Sequence, residues 1–564
     1  DLATDQQRTL YTAKYGTEFK ISPDGKYLAF VDRFKVYVTP FAERGAVIDI
    51  SGSDTQFPVK QLSVKAGTDI SWTSDSSSLY WHLGPELYHH SIAGLFDVNS
   101  KVKVDAKNGS NIGFSVPMDK PEGQIAFVGG QVITMEGDTV LQDAVVLVEG
   151  NKIKAVGTKN DVKVPAGAEV IDITGKTLLP GLFDAHAHGA QGVNQLIPQQ
   201  NYANYASLAL GVTSIHDPSN DTQEIFTASE LQKAGITTGP RIFSTGTILY
   251  GAYGAGYTSH IDSLDDAKFH LERLKKVGAF SVKSYNQPRR NQRQQVIEAA
   301  RELEMLVVPE GGSLLQHNLS MVVDGHTTLE HSLPAAVLYD DVKQLWQQSN
   351  TAYTPTLIVA YGGIFGENYW YDKTDVWKHP RLSQYVPADE LRPRSMRRPK
   401  APDHHYNHIS IAKMAKELSD LGVVTNIGAH GQRESLGAHW EIWMMAQGGM
   451  SPLQALKTAT INPAKSLGFD QYIGSLEIGK LADLIVLEKN PLQDIKNTES
   501  IKYTMINGHL YEAETMNEIG NTAQKREPFY WESTRFAPFF KWHDATQNQQ
   551  NGSCICGFGT NIQP

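Results

Sequence analysis

Between residues 177 and 465, short apolar runs of β-forming residues alternate with longer stretches of 3.6-residue period. The runs end near His188, Asp217, Ser244, Tyr285, Glu310, His331, Ile358 and Ala429. One intervening stretch, Leu264 to Val277, repeats apolar residues at helical spacing and is preceded by Ser263 as an N-cap. Eight strands each followed by a helix is the pattern of a (β/α)8 TIM-like barrel, which takes up about 250 residues. A doubly wound open sheet also alternates, but no glycine-rich fingerprint follows an early strand here.

With 564 residues, the chain must hold more than a barrel. The first 115 residues or so read as antiparallel β structure. In the segment Phe19 to Phe30, Ser22-Pro23-Asp24-Gly25 supplies the turn: proline fixes φ and glycine accepts a positive one. A weaker copy runs from Ile70 to Trp81. The two resemble blades of a TolB-type β-propeller, although two copies cannot close a ring of four or more. Short strands return in Ile125–Thr134 and Ala144–Ile153, and far away in Ala482–Leu487 and Tyr503–Gly508. The expected organisation is α/β. A propeller-like segment spans 1–115. A small composite β-sandwich draws on 124–176 and 466–515, the barrel covers 177–465, and a C-terminal tail covers 516–564. The aromatic- and Arg-rich stretch from Tyr361 to His405 is expected to be an ordered lid.

The net charge of −10 argues against a nucleic-acid or anionic-membrane surface, because both need a positive field. There is no run of ~18 apolar residues to span a membrane. Both cysteines, Cys554 and Cys556, lie in the tail, so a disulfide-stapled fold is excluded. Cys-Ile-Cys is either a soft-metal pair or exposed thiols. The chain begins at Asp1 and shows no signal peptide; it is expected to be processed or cut from a longer precursor.

The chemistry concentrates at the strand ends. In Pro180-Gly-Leu-Phe-Asp-Ala-His-Ala-His188, residues i and i+2 of a strand share a face, so His186 and His188 point together into one cavity. Two imidazoles at that spacing can share one Zn²⁺. The stretch resembles the first-strand signature of the amidohydrolase superfamily, with Phe183 as an extra residue before the Asp. Two further stretches resemble that family in the right order: Met450–Ala464, like its final barrel helix, and Gly474-Ser-Leu-Glu-Ile-Gly-Lys-Leu-Ala-Asp-Leu-Ile-Val486. The resemblance covers about residues 124 to 515.

That resemblance implies one or two divalent ions, Zn²⁺ foremost, with Mn, Fe or Co as alternatives. It implies ligands at later strand ends: Lys283, carbamylated by CO2 in many relatives, and His331 in Thr-Leu-Glu-His331-Ser. Two positions depart from the family pattern. Glu310 stands where many relatives have His, and His430 where they have Asp. A carboxylate still binds metal. A histidine of pKa near ~6.5 still takes up a proton. Glu310 and His430 are therefore both candidate ligands and candidate proton carriers. Tyr250, Tyr285, Arg290 and His439 are candidate substrate contacts, and His216 is expected to orient a ligand from behind. His317, His326, His404, His405 and His408 read as structural.

The expected activity is hydrolysis of a C–N bond in an amide, dipeptide or cyclic amide by metal-activated water. The substrate is then a small molecule or short peptide, with neither nucleic acid nor membrane insertion involved. A lactonase or phosphotriesterase, a deaminase, and an inert peptide- or glycan-binding protein stay open. TolB-type strands suggest a periplasmic or secreted protein, and homo-oligomerisation is left open.

Overall fold

The computed structural model describes residues 7–98, 109–254, 258–396 and 398–532. Cys554, Cys556 and the tail beyond residue 532 lie outside them. Two compact units are present: Asp1–Val116 with Leu249–Tyr253 and Thr258–Ala279, and Pro117–Ile248 with Gly254–Tyr257 and Phe280–Pro564.

The first unit holds two four-stranded antiparallel sheets. One contains Gly16–Ile21, Tyr27–Asp32, Lys35–Pro40 and Lys60–Gln61; the other contains Thr68–Trp72, Ser78–Leu83, Glu86–Ser91 and Ser110–Asn111. Each expected hairpin is there. The Ser22 hydroxyl donates to Asp24 at 2.7 Å, and Gly25 takes a φ of 71°. Alternate residues of both sheets (Ala29, Val31, Val36, Val38 with Ile70, Leu79, Trp81) form one core. Among the described residues the unit holds two such sheets and no ring, as two copies require; a propeller is not shown. The helix Leu264–Lys276, with its Ser263–Asp266 capping box, belongs to this unit. Its Phe269 packs on the same core, and the Arg273 guanidinium lies 3.7 Å over the Phe34 ring.

In the second unit, strands from both sides of the barrel sequence pair into one nine-stranded sheet. The junction is the antiparallel pair Thr177–Pro180 with Leu484–Leu487. Val146 and Met505 sit several strands apart in the sheet yet share a core, so the sheet folds over on itself. Hydrogen bonding joins strands from both ends of the barrel sequence in this one sheet.

Barrel strands Leu182–Asp184, Val212–Asp217 and Arg241–Ser244 form a parallel ladder. Ser281–Ser284 pairs with Leu306–Pro309, and Thr328–Glu330 with Ala352–Thr354. Between these pieces stand isolated bridges, Glu310 to Glu330 and Tyr353 to Thr425. The expected closed ring of paired strands is thus not formed as a continuous ladder. The eighth strand is reduced to that Thr425 bridge, followed by backbone bonds from Ala185 to Ile427 and from His430 to His186. The expected lid, Tyr361 to His405, contains the helices Gly366–Lys373, Pro380–Tyr385 and Ala388–Met396. Its Trp370 and Tyr371 are buried against Trp440 and Trp443, so these aromatics are core residues of a helical cap.

Asp483, in the Gly474–Val486 stretch, has a structural task. Its carboxylate takes the Arg241 guanidinium in a two-bonded clasp at 2.6 and 3.0 Å and accepts the Asn507 amide at 2.7 Å. It thereby bolts the folded sheet to the third barrel strand. Asp483→Ala leaves a largely buried arginine without its counter-charge and is expected to cost about 3–5 kcal/mol. Equilibrium denaturation measures this; an unchanged midpoint would reject the role.

Candidate metal centre

Carboxyls on the second and sixth barrel strands, Val212–Asp217 and Thr328–Glu330, set the first pair of imidazoles. The His186 Nδ1 stands 2.6 Å from Glu330 Oε2, and the His188 Nδ1 stands 3.0 Å from Asp217 Oδ1. His331 follows the same plan with a hydroxyl, its Nδ1 lying 2.7 Å from Thr356 Oγ1. Engaging Nδ1 in this way fixes each ring's orientation and leaves Nε2 as the outward lone pair, the arrangement typical of metal-binding histidines. The four rings converge. Ring centroids of His186 and His188 are 5.0 Å apart, those of His188 and His430 4.7 Å, and those of His331 and His430 5.3 Å. Ligand atoms of His186, His188 and His430 all lie within 4.8 Å of one another.

Lys283 and Glu310 complete the wall. Lys283 Nζ is 2.6 Å from Glu310 Oε2, and His331 Nε2 is 2.8 Å from Glu310 Oε1. These are charge contacts without hydrogen-bond angles. The Nε2 atoms of His186, His188, His331 and His430, the Lys283 Nζ and both Glu310 oxygens are buried and make no hydrogen bond. So many unpaired polar atoms around one point are costly unless something occupies it. A divalent cation fits that donor set, because neutral imidazoles and a carboxylate are its usual ligands.

The charges point the same way. Burial pushes Glu330 up to about 8 and Asp184 up to about 6. Burial also holds His186 and His430 well below the usual imidazole range, with neighbouring cationic groups adding to it. For Glu310, burial acts upward, but His331 and Lys283 outweigh it and bring the group down to about 2. A positive centre would draw the raised carboxyls back toward their ionised forms.

Local backbone strain serves the geometry. Glu330 and His331 are sequence neighbours, which regular strand alternation would place on opposite faces. His331 adopts a φ of 71°, and its ring joins Glu330 at the centre. His430 at 55° and Thr356 at 44° are strained likewise.

Other expected residues are placed differently. His216 is fully buried, but its Nδ1 meets the Ala185 carbonyl at 3.2 Å and its Nε2 the Ser281 hydroxyl at 2.9 Å; it braces the first strand and touches no candidate ligand's ring. His439, expected at the pocket mouth, is buried with Nε2 bound to the Leu210 carbonyl at 2.8 Å, because the helix Leu436–Gln447 turns it into the core. Arg290, expected at the rim, is engaged by Asp324 at 2.6 Å at the start of the helix Arg290–Glu302. Tyr285 is buried after the fourth strand, and Tyr250 falls in the first unit. Asp217, Glu330 and Thr356 were not anticipated. Neither was Tyr361, whose ring centroid lies 5.8 Å from that of His331.

Residues 294–511 match the family model described as Amidohydrolase family. An ochratoxinase of Aspergillus niger is 38% identical over 87 residues, 15% of this chain and 18% of that protein. An imidazolonepropionase of Geobacillus sp. (strain WCH70) is 24% identical over 381 residues, 62% of this chain and 84% of that protein. Among solved structures, a Xaa-Pro dipeptidase with bound methionine matches with a TM-score of 0.53 at 21% identity, over 69% of this chain and all of that one. That likeness concerns the fold. The family match concerns residues 294–511, and the chain spans under a fifth of the length of the ochratoxinase it matches.

Proposed function

We propose that the barrel hydrolyses a C–N bond in an amide, dipeptide or cyclic amide. One or two divalent ions, Zn²⁺ foremost, would be held by His186, His188, His430, Lys283, Glu310 and His331. The observation that carries this is the convergence of the His186, His188 and His430 ligand atoms, with buried Nε2 atoms that make no hydrogen bond, beside the buried Lys283–Glu310–His331 group. The names of the similar proteins, an ochratoxinase, an imidazolonepropionase and a Xaa-Pro dipeptidase, support the C–N bond. Among the described residues no helix is long and apolar enough to cross a membrane.

Such ions, when bound, polarise a carbonyl and bring the pKa of water toward ~7. The chain's own groups do the rest. Asp217 and Glu330 keep His188 and His186 in the tautomer that presents Nε2. Glu310 has two oxygens facing the centre, takes the proton of the attacking water and returns it to the leaving nitrogen. Lys283 balances the Glu310 charge as an ammonium. As a carbamate it would add a second anion beside Glu310, which only additional cationic charge would stabilise. His430 is a ligand through Nε2 when the His186–His188–His430 group is filled, and a second proton carrier when it is not. Tyr361 covers the His331 side and keeps bulk water out.

The test begins with elemental analysis of the purified protein. Removal by a chelator is expected to abolish cleavage across a panel of N-acyl amino acids and dipeptides, and Zn²⁺ or Mn²⁺ to restore it. Cleavage indifferent to both treatments would reject the proposal.

A further inference from the structure

Glu441 lies on the helix Leu436–Gln447, wholly inside the protein. A carboxyl is costly there unless its oxygens are occupied. Its Oε1 accepts the Ile358 amide at 2.6 Å, and its Oε2 faces the Gly428 amide at 3.5 Å. Ile358 lies in the 3-10 turn Leu357–Val359 after the seventh strand, and Gly428 lies in the run that follows the Thr425 bridge. Ile358 is two residues past Thr356, the hydroxyl that holds the His331 ring. Gly428 is two residues before His430 and packs against the His186 Cβ.

The barrel has a particular need at this seam. The seventh and eighth strands are joined through the single Tyr353–Thr425 bridge, with the Tyr353 amide donating to Val424 and the Asn426 amide donating to Tyr353. Among the described residues no further bridge links the two segments toward the candidate metal centre. Glu441 ties them with one side chain. Asp184 makes the matching tie on the other side, accepting the Ala429 amide at 3.0 Å and the His186 amide at 3.1 Å. Two carboxyls thus hold the successive amides of Gly428 and Ala429, which lead into His430.

We infer that Glu441 is a positioning residue, setting the relative placement of His331 and His430 by clamping the amides of Ile358 and Gly428. The inference rests on the metal-centre reading above. It adds a determinant that touches no donor atom and sits on the helix behind the barrel wall.

Glu441→Gln tests it, because the amide keeps one acceptor for Ile358 but turns an N–H₂ donor toward the Gly428 amide. Zn²⁺ affinity is measured by competition with a chelator, and the visible absorption of the Co²⁺-loaded protein reports ligand arrangement. The expected result is a ~10–100-fold loss of Zn²⁺ affinity, as for removal of an orienting group, with an altered Co²⁺ spectrum in a protein that still folds. Wild-type affinity and spectrum would overturn the inference, whatever the change in melting temperature. Should the glutamine variant not fold, Glu441→Asp, which shortens the reach by one methylene, is read by the same two signals: a shift in both supports the clamp, and wild-type values overturn it. If the unaltered protein takes up neither ion, the metal-centre reading itself fails, a separate outcome.

Discussion

Glu310→Gln is expected to lower turnover ~10²–10⁴-fold, the range spanned by loss of a positioned proton carrier. Glu310 is a buried carboxylate whose two oxygens face Lys283 and His331 at the candidate centre. The change keeps shape and volume but removes the charge, so Lys283 is left buried opposite a neutral amide. That part of the effect is thermodynamic: the metal-stripped variant is expected to lose about 3–5 kcal/mol of stability. Turnover and metal content, measured together, separate the roles. Turnover lost with metal retained identifies the proton carrier. Turnover lost along with metal identifies a ligand. Turnover retained would remove Glu310 from the mechanism.

The metal centre was partly legible because strand geometry is periodic. In His186-Ala-His188 two ligands announce themselves at spacing two, and β-rich runs ending in Lys283, Glu310, His331 and His430 marked where other strands stop. The structure brings His186, His188 and His430 together and places His331, Glu310 and Lys283 in a chain of contacts beside them. The groups behind them were not legible. Asp217 is 29 residues from His188, and Glu330 is 144 from His186. Neither pairing leaves a local pattern. Glu330 was further hidden by sitting next to His331, since the alternation rule assigns neighbours to opposite faces until a positive φ intervenes.

Errors elsewhere share one cause, reading a residue type without its partner. Arg290 near a strand end resembles a substrate contact until Asp324 is seen to hold it. His439 in a Gly-Ala-His-Trp-Glu stretch resembles a rim residue until helical phase turns it to the Leu210 carbonyl. The informative residue of that stretch was Glu441, two positions on. In the first unit, the two turn motifs identified hairpins correctly, but hairpins are common to many β folds. Only the number of blades distinguishes a propeller, and the described residues hold two.

Gly428→Ala is the second large effect, and it isolates packing from backbone strain. An added Cβ would stand 2.7 Å from the His186 Cβ, 2.8 Å from the Thr354 Cγ2 and 2.9 Å from the Thr356 Cγ2. Gly428 is not in the positive-φ region, so alanine is acceptable to its backbone and the clash alone acts. All three neighbours are short atoms close to their own backbones, so relief must come from moving strands. One of those strands carries His186, and another carries the Thr356 that orients His331. Overpacking of this kind typically costs about 1–3 kcal/mol. Here it also spreads the metal ligands, so loss of bound metal is expected to exceed what the lowered melting temperature alone would produce. Gly167→Ala, with nothing within 4 Å of the added atom, serves as the control. Thr354→Ser removes one of the clashing methyls and is expected to restore part of the metal content in the double variant. A Gly428→Ala protein with full metal content and the control's stability would show that the first, seventh and eighth strands do not meet as closely as the centre requires.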